Sequence, residues 1–432
     1  MRNLSRREFA RGAASFGLAI GLPGNLKLLS KERKSAAVAP AKSNIANING
    51  AESLRAHAEA VGLYFGFAVV PELLDLDGVR ANGSSDLYTQ TVVSQANILV
   101  AENAMKWSSL RPTPTSYDFS RADKLFDFAA FCGQLVRGHN LCWHEQLPAW
   151  FAATATRENA RALLTQHIQI VAGRYAGKVQ SWDVVNEAIN IPDGRADGLR
   201  KSPWLDLIGP EYLEEAFNAA AQADPQARLT YNDYDIELDT AEQTAKRGQV
   251  LMLVRRLHAR GIPVHAVGIQ SHLQANGPQP GAGIVGFIRE LATLGIEVYI
   301  TEMDVNTHTL AGGNDVQDAA VAAVYKNYLG LLLPEPNVKA VLTWGITDSH
   351  TWLNQSTQPW AERPDGSRQR PLPLDEGYRP TAAFYSIRAA LDAARQPVAT
   401  SDITKSPSPS KGDPFAPFVV PGSPAGEPGP KP

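Results

Sequence analysis

Gln180-Ser181-Trp182-Asp183-Val184-Val185-Asn186-Glu187-Ala188 is an apolar run that ends in an amide and a carboxylate side by side. Its β-branched and aromatic residues predict a strand whose C-terminal end delivers Glu187. A carboxyl group in such a place is costly unless it is paired or used, so it invites a functional reading; a strand-end Glu facing water is the plain alternative. Far downstream, Ile296-Glu297-Val298-Tyr299-Ile300-Thr301-Glu302-Met303-Asp304 repeats the pattern. Two such strands in one chain predict paired carboxylates that work together.

Outward from these strands, between about Asn44 and Pro397, short apolar runs alternate with longer segments of helical period. Strands are predicted over 62–69, 98–101, 135–142, 179–185, 228–231, 266–269, 298–300 and 340–344, eight in all. Helices are predicted over 86–95, 121–132, 157–175, 210–223, 240–260, 284–294, 316–333 and 381–394. In the helix over 240–260, Leu251, Val254 and Leu257 are the expected covered face. Eight alternating units predict an α/β fold of the (β/α)8 TIM-barrel class, one catalytic domain over residues 45–398. An open doubly wound sheet is the alternative, but no G-x-G-x-x-G follows the first strand, which argues against its nucleotide-binding version.

The net charge of -3 over 432 residues is too small to argue for nucleic acid or an anionic membrane, so a neutral partner is expected. Ser5-Arg6-Arg7-Glu8-Phe9, followed by the weakly apolar run from Ala13 to Leu22, has the form of a twin-arginine export signal. A short basic amphipathic helix is the other reading, and the run is too short to span a bilayer. Residues 1–44 are therefore expected to be signal and linker, cleaved between Leu26 and Asn44, and the protein to be periplasmic or secreted. Residues 399–432, rich in Pro, Ser and Gly, are expected to form no packed unit. Cys132 and Cys142, the only two cysteines, sit in apolar contexts on a helix and a strand and are expected to be buried free thiols.

Glu102-Asn103, Lys106-Trp107, His139, Trp143-His144, Asn186-Glu187, Asn232-Asp233, Gln270, His272, Glu302, Asp304 and Trp344 fall at strand C-termini, the face where barrels of this class do chemistry. Aromatic faces with amide and carboxylate groups suit a sugar ring, which offers an apolar face and a rim of hydroxyls. Two carboxylates flanking a glycosidic bond are the minimum for its hydrolysis. Trp143, Trp344 and Trp352 are read as binding residues and Trp182 as core. His139, His144, His272, Glu302 and Asp304 show neither H-x-H nor H-E-x-x-H spacing, so no metal is expected. His57, His167, His258, His265 and His308 are expected to be hydrogen-bonded structural residues.

Gly138-His139-Asn140-Leu141-Cys142-Trp143-His144, the Trp182–Ala188 segment, Tyr231-Asn232-Asp233-Tyr234, Gly268-Ile269-Gln270-Ser271-His272 and Ile300-Thr301-Glu302-Met303-Asp304 resemble, in order, strand motifs of glycoside hydrolase family 10, the endo-β-1,4-xylanases. Glu102-Asn103-Ala104-Met105-Lys106-Trp107 and Thr343-Trp344-Gly345-Ile346-Thr347-Asp348 match as well, and the resemblance runs from about Leu54 to Leu391. It implies hydrolysis of internal β-1,4-xylosidic bonds of xylan by a retaining double displacement, with no cofactor, Glu187 as acid/base and Glu302 as nucleophile. It further implies that His272 contacts the nucleophile, Asp304 supports that histidine and Asn186 holds the sugar 2-hydroxyl. Asn103, Lys106, His139, Trp143, Gln270, Trp344 and Trp352 match positions lining the glycone side. In a retaining enzyme the two carboxyl groups stand about 5–5.5 Å apart.

Three departures stand out. Ala101 replaces a common Pro, Glu145 follows Trp143-His144 where a small hydroxyl residue is usual, and Gln355–Pro373 resembles an insertion with no inherited role. The expected partner is a xylan or xylo-oligosaccharide substrate, with no nucleic acid and no membrane after signal removal, and the protein is expected to be a monomer. Cleavage of β-1,4-glucan is the alternative within the same chemistry, and a carbohydrate-binding protein without turnover the alternative from another class.

Overall fold

The structure, a computed structural model, describes residues 48–81 and 85–394. The expected export signal and the Pro/Ser/Gly-rich tail lie outside the described residues. Among those described, nine parallel strands alternate with helices: β1 (Tyr64–Val69), β2 (Ile98–Ala101), β3 (Leu135–Cys142), β4 (Ser181–Asn186), β5 (Arg228–Asp233), β6 (Ala266–Ile269), β7 (His272–Gln274), β8 (Glu297–Asn306) and β9 (Val338–Thr343). Eight of them form a closed ring, because β6 pairs with β8 and β9 returns to pair with β1. The expected (β/α)8 barrel is therefore the observed fold.

Alternation along each strand separates two apolar layers. On β1, Phe65, Phe67 and Val69 join the large core under the helices, whereas Ala68 belongs to a small cluster with Ile98, Val100, Ala266, Tyr299, Ala340 and Leu342. The predicted helices are present with ends within a few residues of expectation. Asp86, Thr240 and Thr381, read as first residues of helices, are instead N-caps whose side-chain oxygens accept from the backbone N–H of Thr89, Gln243 and Ala383. In the helix Ala241–Ala259 the buried apolar face is Val250, Leu253, Val254 and Leu257; Leu251 is only half-buried, because a period of 3.6 rather than 3 selects the face.

Two features depart from the strand assignment. The short strand β7 was not expected, and β8 runs on to Asn306 rather than stopping at Ile300. They share a cause: beyond the barrel rim, β8 finds a new partner in β7, with His272 opposite Asp304. Cys132 and Cys142 are free; Cys142 is buried as expected, but Cys132 is only half-buried near the exposed end of its helix. His57 pairs with Asp392 at 2.7 Å and His265 accepts from the Leu229 N–H at 2.9 Å, while His308 bonds the Glu362 carbonyl. His167 departs from expectation: it is fully buried, makes no hydrogen bond and stacks on Trp107 at 3.6 Å between ring centroids. Gln355–Pro373 packs onto the end of β8, where Arg363 donates to the Thr307 carbonyl at 2.5 Å and Gln369 accepts from the Thr307 N–H at 2.7 Å.

Barrel closure leaves no room beside Gly66, where an added Cβ would lie 1.7 Å from the Ile98 carbonyl oxygen of β2. Gly66→Ala must part the first two strands, so a loss of more than about 3 kcal/mol is expected, read as a lowered denaturant midpoint or failure to fold.

Candidate active site

In a regular strand, successive side chains point to opposite faces, so Asn186 and Glu187 would not share a site. The register between β4 and β5 shifts between Asp183 and Val185, and Val184 and Val185 both pack in the outer core. The extra residue changes the phase of the strand, as a bulge does. Glu187 then takes a left-handed backbone conformation, φ 59°, while its N–H still donates to the Asn232 carbonyl at 2.8 Å. This conformation is disfavoured for a residue with a side chain, and here it turns Glu187 into the same cleft as Asn186.

That cleft, with about 490 Å³ of empty volume, is walled by Lys106, His139, Trp143, Asn186, Glu187, Gln270, His272, Glu302, Trp344 and Trp352, ten of the twelve residues singled out from sequence, together with Tyr234. The other two act from behind. Asn103 accepts from Lys106 Nζ at 2.9 Å, and Asp304 accepts from the Trp352 indole at 2.7 Å.

The two carboxylates share one network of amides. Glu187 Oε1 accepts from Gln270 at 2.9 Å and from Asn186 at 3.1 Å. Asn232 donates to both Asn186 Oδ1 and Glu302 Oε1, each at 2.8 Å. On the far side of Glu302, His272 Nε2 stands 3.3 Å from its Oε2, and His272 Nδ1 stands 2.9 Å from Asp304 Oδ1.

These surroundings push the two acids apart. Burial raises the Glu187 carboxyl above the ordinary range, only partly offset by Arg200 and the amide of Gln270. Burial also opposes ionisation of Glu302, but the His272 hydrogen bond, the charges of His139 and His272 and the Asn232 amide outweigh it and pull Glu302 down to about 2. His272 is moved the other way: despite burial, the charges of Asp304 and Glu302 lift it to about 10. The site thus sets a carboxyl raised by burial beside a carboxylate held low by an imidazolium, so that two like groups are displaced in opposite directions. Among the described residues, no group of three or more His, Cys, Asp or Glu side chains is placed to hold a metal ion.

Several supporting residues were not singled out from sequence. Asp183 holds His139 Nδ1 at 2.9 Å and Arg137 at 2.5 Å inside the barrel. Arg200 donates to the Glu187 carbonyl at 2.7 Å and to the Tyr234 hydroxyl at 2.9 Å, and Trp204 donates to the Trp143 carbonyl at 2.7 Å. Asp183 and Tyr234 lay within quoted motifs, and a polar residue inside an apolar strand was a usable signal; Asn232 was placed at a strand end from sequence but without a role. Arg200 and Trp204 lie in a loop and a short helix with no pattern to mark them.

Residues 53–390 match glycosyl hydrolase family 10. A β-1,4-xylanase of Dictyoglomus thermophilum is 37% identical over 308 residues, covering 69% of this chain and 83% of that protein. Native xylanase 10B from Thermotoga maritima is similar in structure with a TM-score of 0.69 at 34% identity, covering 79% of this chain and 98% of that one. Xylanase 10B from Thermotoga petrophila RKU-1, in complex with xylobiose, has the same TM-score of 0.69 at 34% identity, covering 79% of this chain and 97% of its own.

The His272 triad ties stability to pH. Glu302, depressed to about 2, adds stability that is complete above the unfolded carboxylate value of about 4.3 and is lost as pH falls toward 2. His272, raised to about 10, adds stability that is complete below about 6.5 and is lost as pH rises toward 10. Calorimetry of His272→Gln should show a protein on the order of 3 kcal/mol less stable at about pH 5.5. The variant should also show a shallower decline than wild type from about pH 6.5 to 10.

Proposed function

The chain belongs to glycosyl hydrolase family 10 and is a glycoside hydrolase of the endo-1,4-β-xylanase kind; from that premise we propose that it cleaves xylan by a retaining double displacement with Glu302 as nucleophile and Glu187 as acid/base. The observation that carries this assignment is the opposed displacement of the two carboxyls, Glu187 upward and Glu302 down to about 2, on one hydrogen-bonded network.

In the first step the Glu302 carboxylate attacks the anomeric carbon while Glu187 gives its proton to the departing glycosidic oxygen, forming a glycosyl-enzyme. Esterification removes the negative charge of Glu302, and the pKa of Glu187 falls. Glu187 then takes a proton from water as that water displaces Glu302. His272 steadies Glu302 while it is charged, and Asp304 keeps the imidazolium in place. Asn186 is assigned to the sugar 2-hydroxyl, whose hydrogen bonds strengthen in the transition state. Lys106, with Nζ 5.3 Å and 5.7 Å from the Trp143 and Trp344 ring centroids, forms with them a wall that offers both an apolar face and donors to the sugar. Support for the substrate comes from the xylobiose bound by the Thermotoga petrophila relative.

Glu302→Ala should lower release of reducing sugar from xylan on the order of 10⁴-fold. Glu187→Ala should lose about 10²–10⁴-fold on xylan but much less on an aryl xylobioside with a good leaving group. Proton NMR of the first product should show the β-anomer, and an α-anomer would refute the double displacement. Equal rates on xylan and a soluble cellulose derivative would refute the substrate preference.

We further propose that the chain acts as a monomer and is exported by the twin-arginine route, on the strength of Arg6-Arg7 ahead of the Ala13–Leu22 run. Replacing both arginines by lysine should leave active enzyme inside the cell, measured as xylanase activity in fractionated cultures.

A further inference from the structure

Glu145 is a carboxylate near the reaction centre that the mechanism above does not use. Glu145 follows His144 in the loop after β3. His144 stands between it and the acid/base, with Nε2 3.6 Å from Glu145 Oε1 and Nδ1 3.9 Å from Glu187 Oε2. None of the three side chains is more than 15% exposed. Glu187 uses its Oε1 to accept from Asn186 and Gln270, so Oε2 is the oxygen that faces the imidazole. Both Glu187 Oε2 and His144 Nδ1 are sealed from solvent and have no hydrogen-bond partner at ordinary length, although the Trp143 indole is close enough to the Glu187 carboxyl to favour its charged form.

We propose that Glu145 is a positioning residue that holds His144 in one tautomer, with Nε2–H toward Glu145, so that Nδ1 presents a lone pair to the proton on Glu187 Oε2. The inference rests on the assignment of Glu187 as acid/base and adds to it the device that keeps the acid protonated. A neutral imidazole carries one N–H, and whichever nitrogen holds it decides the sign of its effect on a neighbour. With Nδ1 bare, His144 favours Glu187 in its acid form; with Nδ1 protonated, it would favour the carboxylate. A carboxylate at Nε2 selects the first state. His144 is suited to the role because burial, with Arg200 and Lys246 nearby, keeps it neutral. The 3.9 Å separation is one that can tighten in the substrate complex, as such contacts do.

The other charges around this chain act on both forms of the enzyme. Arg200 lies against Glu187 and His144, Asp233 faces Glu187 and is itself held by Lys246 at 2.7 Å, and Tyr234 faces Glu187 and Arg200. Lys106 faces Glu102, Glu302, Glu187 and Glu145 together. None of these can select the His144 tautomer, since none contacts its Nε2 among the described ion pairs.

The test compares wild type, Glu145→Ala, Glu145→Gln, His144→Gln and the Glu145→Ala/His144→Gln double variant. Two readouts are used: the pH profile of kcat/KM on xylohexaose, and the ¹³C NMR titration of the Glu187 carboxyl, identified by its loss in Glu187→Gln. Glu145→Ala should move the alkaline limb and the Glu187 midpoint to lower pH by at least about 0.5 unit. Glu145→Gln, whose amide oxygen still accepts from Nε2–H, should shift them less, and Glu145→Ala should have no further effect once His144 is Gln. An unchanged midpoint in Glu145→Ala, or an equal shift with and without His144, would overturn the proposal. The titration needs no turnover, so wild-type protein inactive on xylan would refute the proposed function while the role of Glu145 is still decided.

Discussion

A buried imidazolium between two carboxylates holds the centre of this molecule together. His272 stands 3.3 Å from Glu302 and 2.9 Å from Asp304, and all three are almost wholly withdrawn from water. Two carboxylates of like charge in such a place would repel; the cation between them offsets that repulsion and helps hold Glu302 down to about 2. Much around them serves that balance. The short strand β7 exists by pairing with the extension of β8, and that pairing sets His272 opposite Asp304. Trp352 donates to the second oxygen of Asp304, and Trp360 of the 355–373 segment packs on Trp352 at 5.5 Å between ring centroids. The segment without an inherited role is therefore part of the wall that backs Glu302.

The opposite acid is managed without a direct cationic partner on its carboxyl. Glu187 is buried among amides, its backbone anchored by the Arg200 guanidinium on its carbonyl, so burial dominates and its pKa is raised. The strained conformation at Glu187 and the register shift in β4 are the geometric cost of bringing Asn186 and Glu187 to one face. Closing eight strands into a barrel with both faces packed supplies the rigidity that holds such a conformation in place.

Much of this was legible in the chain. Short apolar runs marked the eight barrel strands, and the helix starts were placed at Asp86, Thr240 and Thr381, one residue early, because each is an N-cap whose side chain competes for a free N–H. Trp182 read as core and is core: it fills the space beside Gly138, where an added Cβ would meet its ring at 2.1 Å, and its indole donates to Asp224 at 3.0 Å. Strand β7 was not legible, because three residues carry no periodicity and their pairing depends on a segment distant in sequence. His167 was misjudged because stacking on Trp107, unlike hydrogen bonding, leaves no local polar signature.

The sequence by itself determined the strand and helix order, the barrel class and the identity of the groups at the strand ends, since each follows from local periodicity and from residue types that water would otherwise claim. Which of the two carboxyls is shifted up and which down was decided only by the tertiary structure. Glu187 and Glu302 are chemically the same side chain at the end of similar strands; amides and burial surround one, and His272 faces the other. A pKa is set by the field of groups within a few ångströms, and those groups arrive from β3, β5, β7 and the loop bearing Arg200 only once the barrel has closed.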